Sequence, residues 1–205
     1  VRTGRDVLEQ FVASSRVYED LGKLQHFGPD LFEHVSLDIV LRRWDDRVPR
    51  APWGEFRCFV HEGRLTAVTQ YFSDQVFDRL VQDKDRYLEV LKQAWSECHP
   101  ALSAAGFVSY VVDFFVDIDA VAPTPAALLI ELNPFHSSAG AALFSWSTDR
   151  DVLLGATETE LRIRCTRRAQ DELFDTVIPV VWGRWYRQVL VARDAVPPSG
   201  KCTVS

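Results

Sequence analysis

Methionine is absent from this chain, and its four cysteines, Cys58, Cys98, Cys165 and Cys202, include no CxxC pair. That spacing excludes a zinc ribbon and a dithiol redox motif, and unpaired thiols point to a reducing compartment. The adjacent Cys98-His99 is read as incidental rather than as a metal site. No apolar run approaches the roughly 20 residues that a membrane-spanning helix needs. No signal-peptide pattern precedes the first helical stretch either, so the expectation is a cytoplasmic protein without a membrane partner. An excess of positive charge is also missing. The formal net charge is −6, which argues against a dedicated nucleic-acid binder while leaving room for a local phosphate-binding patch. A chain that opens on Val1 and holds no Met reads as processed, or as part of a longer protein.

What is present is ordinary for a soluble globular domain, except in its rings. The 205 residues are 47% hydrophobic and 25% charged, with aromatics at 12%. The length suits one well-buried domain or two small lobes, and the aromatics promise a substantial core or an apolar binding surface. Residues 3–21 read as helical: Thr3 can cap with Asp6 three residues on, and Val7, Leu8, Phe11 and Val12 form one face. Ser14-Ser15 ends or restarts that helix. Residues 35–44 read as a strand ending in Arg42-Arg43-Trp44. Glu55–Val60 and Arg64–Tyr71 alternate around Glu62-Gly63, which is a hairpin signal. From Asp74 to about Cys98 an apolar stripe (Val76, Phe77, Leu80, Val81, then Tyr87, Leu88, Leu91, Trp95) has helical spacing. Residues 161–166 read as a strand. Residues 169–192 read as a helix interrupted by Pro179, and residues 193–205 as a disordered tail.

The most informative part is a pair of short, β-branched and aromatic stretches, residues 110–117 and 128–135. Each carries acid or amide groups where a core strand wants apolar ones. Glu131 and Asn133 are two apart and therefore share a sheet face. If the first strand pairs beside the second, Asp113 joins them. Two carboxylates and an amide oxygen make a hard-oxygen site suited to Mg²⁺. Burying unpaired carboxylates costs several kcal/mol each, so a cation is the natural compensation. The competing reading of either acid alone is a solvated strand end or half of a salt bridge.

Three blocks, Leu41-Arg-Arg-Trp44, Glu55-Phe-Arg-Cys-Phe-Val60 and Glu131-Leu-Asn-Pro-Phe135 with Leu143-Phe-Ser-Trp146 behind it, together resemble the cell division cycle protein 123 family, a branch of the ATP-grasp superfold. The resemblance spans roughly residues 5–150. It implies an α+β, ATP-grasp-like fold: an antiparallel sheet with flanking helices over residues 1–192, part of two lobes that hold Mg-ATP between them. Carried over, Asp113, Glu131 and Asn133 would be the Mg²⁺ ligands, while Arg42 and Arg57 would bind ATP. A guanidinium suits that role because its planar fork engages phosphate oxygens in pairs. Arg57 also shares a strand side with Glu55, so a structural Glu55–Arg57 pairing competes with the nucleotide role.

Three departures from the family pattern stand out. The lysine-bearing segment that lies upstream of the Leu-Arg-Lys-Trp block has no counterpart, so the first lobe is expected to be incomplete and ATP binding by this chain weak. Where the family has Ser-Gln-Arg-Asp, this chain reads Thr69-Gln70-Tyr71-Phe72. The second acid of the metal set is Glu131 where many relatives carry Asp. The resemblance implies an assembly chaperone that binds the γ subunit of translation initiation factor 2. The alternatives are an ATP-dependent carboxylate–amine ligase working through an acyl phosphate, or a non-catalytic relic. For a ligase, Arg162, Arg164, Arg167 and Arg168 could receive an acidic acceptor, though a solvated charged face is the plainer reading. His136 could approach the phosphates. The apolar stretch 177–182 with Trp185 reads as core or as a docking surface.

Overall fold

The computed structural model describes residues 3–25 and 40–166. The expected helix over 169–192, the tail, Arg167, Arg168, the 177–185 stretch and the first half of the expected strand over 35–44 lie outside these residues. The chain divides into two compact units, the first ending at Trp44 and the second beginning at Asp45.

In the first unit, α1 (Gly4–Ala13) and α2 (Ser15–Gln25) follow each other directly. Thr3 caps α1 reciprocally: its Oγ1 accepts from Asp6 N at 3.2 Å, and its own N–H donates to Asp6 Oδ2 at 3.0 Å. Two of the helix's four orphan donors are thereby satisfied. Ser14, in an extended conformation, separates the helices, so the Ser-Ser step does interrupt the run. Residues 40–44 form no strand.

The second unit is α+β and centres on one five-stranded sheet of order β4-β3-β1-β2-β5. The strands are β1 (Glu55–His61), β2 (Arg64–Gln70), β3 (Tyr110–Val116), β4 (Ala127–Pro134) and β5 (Glu160–Arg162). Four run antiparallel to their neighbours, whereas β5 joins β2 in parallel, so the sheet is mixed where a wholly antiparallel one was expected. A parallel addition needs a long crossover, and here the chain supplies it between β2 and β5. The β1–β2 hairpin turns at Glu62 and Gly63, both with positive φ (48° and 70°), the geometry that matches strand twist in a tight hairpin. One turn of helix, α3 (Arg47–Arg50), precedes β1, followed by a 3₁₀ turn at Pro52–Gly54. A Cβ on Gly54 would sit 2.5 Å from the Val116 carbonyl oxygen; only glycine lets the chain enter β1 that close to the end of β3. Arg47 ties the same corner together. It pairs with Asp45 and Asp117 and donates to the Pro125 carbonyl.

The expected helix after residue 74 starts later and runs further: α4 (Asp78–Gln82) and then α5 (Lys84–Ala104). Most of the expected stripe faces the core, Val76 and Val81 excepted. Leu80, Tyr87 and Leu91 are buried, and with Phe77, Leu88 and Trp95 they pack on the even-numbered side chains of the sheet: Phe56, Cys58, Val60, Val112, Phe114 and Val116. The opposite face carries a smaller apolar cluster of Phe59, Ala67 and Val111. The loop after β4 covers it through Phe135, Ala139, Phe144 and Trp146, and the short α6 (Arg150–Leu153) covers it through Leu153. The apolar run 141–146 thus caps this face of the sheet. Trp146 Nε1 donates to the Ala139 carbonyl at 2.7 Å, which fixes the loop over the ring of Phe59.

Candidate functional site

The second face of the sheet is apolar at one end and ionic at the other. Arg57 in β1 stands opposite Asp113 in β3, and Asp113 stands opposite Glu131 in β4. Directly opposed residues point to the same side, so the three form one row across three strands. Asn133, opposite Val111, lies two residues along on the same side.

A bulge decides this arrangement. Leu129 pairs with Phe114 and Glu131 with Asp113, so β4 spends the extra residue Ile130 between them. With regular pairing Ile130 would face Asp113, and Glu131 would turn into the apolar core under α5. Bulges re-aim side chains in this way at the edges of sheets.

The site is tightly wired. Arg57 Nε donates to Asp113 Oδ1 at 2.9 Å and Nη2 to Oδ2 at 2.7 Å, a bidentate pair with Asp113 at 0% exposure. Arg57 Nη1 donates to the Gly140 carbonyl at 2.7 Å, and the guanidinium lies 5.1 Å from the centre of the Tyr71 ring. Asn133 Nδ2 donates to Glu131 Oε1 at 3.0 Å and to Asp113 Oδ2 at 3.4 Å. Glu131 is more open, with its side chain 45% exposed and Oε1 3.8 Å from Arg57 Nη2.

The electrostatics leave an excess of negative charge. Burial raises the carboxyl of Asp113 above its ordinary value, opposed by Arg57 and reinforced by Glu131. Burial likewise raises Glu55, with Asp113 and Glu131 adding repulsion. Three carboxyl groups, Glu55, Asp113 and Glu131, therefore surround one guanidinium and repel one another, a repulsion that a divalent cation would relieve. The donor chemistry fits such an ion. Asp113 and Glu131 supply hard oxygens from neighbouring strands, and the amide of Asn133 can supply a third. Among the described residues no cluster of three His, Cys, Asp or Glu side chains has metal-binding geometry, so an amide, water or ligand oxygen would have to complete the shell.

The sequence reading thus places Arg57, Asp113, Glu131 and Asn133 together, and they are together. The competing Glu55–Arg57 pair gives way to Arg57–Asp113, because the cross-strand neighbour is closer than the i+2 neighbour on one strand. Arg42 is exposed and belongs to the first unit. Tyr71 and the Gly140 carbonyl were not anticipated as site groups. The signal for Tyr71 was its position, where the family pattern has Arg. Two other candidates take structural roles. Arg162 pairs with Asp149 at 2.9 Å and Glu160 at 2.7 Å and lies over the Phe144 ring. Arg164 donates from its backbone to Gln70 Oε1 and from its side chain to the Ser73 carbonyl. His136 is exposed and bonds to Ser138 within its own loop. His99, next to Cys98, stacks on Trp95 and meets the Tyr110 hydroxyl. Cys58, Cys98 and Cys165 are free thiols. Among the described residues no helix is long and apolar enough to cross a membrane.

The profile of the D123 family matches residues 1–176. Among curated relatives, a translation initiation factor eIF2 assembly protein of Schizosaccharomyces pombe is 31% identical over 149 residues, covering 73% of this chain and 42% of that protein. A cell division cycle protein 123 of Yarrowia lipolytica is 28% identical over 191 residues, covering 83% of this chain and 46% of the relative. The solved structure of Cdc123 from Schizosaccharomyces pombe superposes with a TM-score of 0.57 at 26% identity, covering 80% of this chain and 63% of that one. The chain spans less than half the length of these two curated relatives.

Proposed function

This chain belongs to the D123 family, and from that membership we propose that it is an ATP-grasp-like assembly factor for translation initiation factor 2 that binds Mg-ATP on the ionic face of its sheet. The observation that carries the nucleotide part is the row Arg57–Asp113–Glu131 with Asn133 beside it, whose surplus of carboxylates matches a divalent cation. In this reading Asp113, Glu131 and Asn133 hold Mg²⁺ and Arg57 faces phosphate oxygens; Arg42, which the family resemblance also implies for the nucleotide, stands in the first unit. The cation would neutralise phosphate charge and fix the ligand's orientation. The assembly part rests on the relatives named eIF2 assembly proteins, and the γ subunit of that factor is the proposed partner. A cytoplasmic location goes with this role.

The ligase reading loses ground. It drew on Arg162, Arg164, Arg167 and Arg168 as a landing site for an acidic acceptor; the first two are committed to contacts that hold the fold together, and the other two lie outside the described residues. Co-purification of tagged γ subunit with this chain, with and without Mg-ATP, tests the proposal. Association that rises with Mg-ATP is the expected result. Absence of association in both conditions overturns the assembly role.

A further inference from the structure

Arg57 already sits where a cation for Asp113 is wanted. Its fork takes one lone pair from each oxygen of a carboxylate that is fully buried. Asn133 turns its NH₂ group, not its oxygen, toward both carboxylates. The knot is internally compensated at Asp113 and under-compensated at Glu131. Resting on the metal–nucleotide reading above, we infer that Arg57 is an internal counterion competing with the divalent cation for Asp113, so that cation and phosphate ligand bind cooperatively.

Each partner meets a cost when it arrives alone. A cation arriving by itself must displace Arg57 from Asp113 and leave a guanidinium in a half-closed site beside a like charge. The alternative is to settle for Glu131 and water. A phosphate arriving by itself meets Glu55, Asp113 and Glu131 and is repelled, and drawing Arg57 off would bare a buried carboxylate. When both are present, Arg57 exchanges one anion for another and no charge is left unpaired. Each ligand removes the cost the other would face, and by linkage the coupling is the same in both directions. Tyr71 and the Gly140 carbonyl suit this exchange. They hold the guanidinium at its face and at Nη1, leaving Nε and Nη2 as the groups that change partner.

The test uses the whole chain and three titrations: Mg²⁺ alone, ATP in EDTA, and preformed Mg-ATP, each followed by calorimetry and by the Arg57 Nε–H resonance. Arg57→Lys keeps the charge but loses the fork, and its fold is checked by circular dichroism. The expected results are that either ligand alone binds at least tenfold more weakly than Mg-ATP, that the Nε–H signal moves only with Mg-ATP, and that Arg57→Lys binds Mg²⁺ alone several-fold more tightly than the unaltered chain. Mg²⁺ binding equally well with and without ATP, with the Nε–H signal unmoved, overturns the inference and leaves the metal reading standing. No binding in any of the three titrations overturns the metal–nucleotide reading, and the inference with it. If Arg57→Lys does not fold, the wild-type resonance alone decides.

Discussion

The two faces of the sheet are buried to a similar depth and held by different means. Under α5 the face is continuous hydrocarbon and ring: Phe56, Val112, Phe114, Tyr87 and Leu91 are all within 2% exposure. On the other face Arg57 and Asp113, at 8% and 0%, sit in the same central strands. Apolar contacts are non-directional, so the α5 face tolerates adjustment and each side chain contributes on its own account. The ionic face is stable only as a set. Every buried charge needs its partner, and removing one partner costs more than the pair contributes. The first face therefore stabilises the fold through many independent contacts, and the second holds a set of charges that depend on one another.

The largest effects expected would break that contrast if they failed to appear. Phe114→Ala or Tyr87→Ala empties the α5 face and should cost about 3–5 kcal/mol in urea unfolding. Arg57→Met should cost a similar amount, about 3–5 kcal/mol, because Asp113 is left buried and bare. The distinction lies in the double variants. Arg57→Met with Asp113→Leu should recover most of the loss, since a buried pair replaced by apolar groups of similar volume is close to neutral. Distant apolar truncations on the α5 face should instead add.

Smaller effects sharpen the comparison. Trp146→Phe removes the bond to the Ala139 carbonyl and should cost about 1 kcal/mol, loosening the loop that also carries Gly140. Two carboxylates should show opposite pH behaviour. Glu55 is raised by burial and by its acidic neighbours, so it takes a proton in the folded state before the unfolded chain does. Its contribution is therefore most favourable at low pH and is lost as pH rises through the raised value. Glu55→Gln should stabilise at pH 7, by under about 1 kcal/mol, with the gain fading on acidification. Asp149 is lowered chiefly by its bond to Arg162. Its contribution is present above the ordinary carboxylate value and is lost as pH falls through the lowered one. Asp149→Asn should destabilise at pH 7, with the loss fading in acid. Urea unfolding midpoints between pH 3 and 8 check both signs.

How far the sequence disclosed this depends on the scale of the signal. The helical stripe ending in Trp95, the Thr3–Asp6 cap and the Glu62-Gly63 hairpin were legible because each is a local pattern whose physics lies within a few residues. The shared face of Glu131 and Asn133 was legible from parity alone. That Asp113 joins them was expected only on the condition that the two strands pair and from the family resemblance; the bulge at Ile130, on which its direct opposition to Glu131 depends, was not legible. The one hint is the run Leu128-Leu129-Ile130, which breaks alternation just before the acid. The parallel strand β5 was foreseen as a strand, but its direction follows from tertiary packing. Tyr71 under Arg57 and the Gly140 carbonyl were hidden for a similar reason: their contact with Arg57 spans 14 and 83 positions of the chain. Gln70 is the clearest case of a buried polar group with no local signal. It is 1% exposed, it donates to the Phe72 and Gln75 carbonyls, and it accepts from Arg164 N.

The central claim is that the ionic face is a cation and phosphate site rather than a structural salt bridge, and Glu131 is the residue on which the two accounts part. Its side chain is 45% exposed and Arg57 is already satisfied by Asp113, so Glu131→Gln should leave the unfolding midpoint almost unchanged. Calorimetric titration of Mg-ATP into the chain and into Glu131→Gln, at protein concentrations high enough for weak binding, is the direct measurement. The account predicts binding to the chain and at least a tenfold loss in the variant. Equal affinity in both would contradict it.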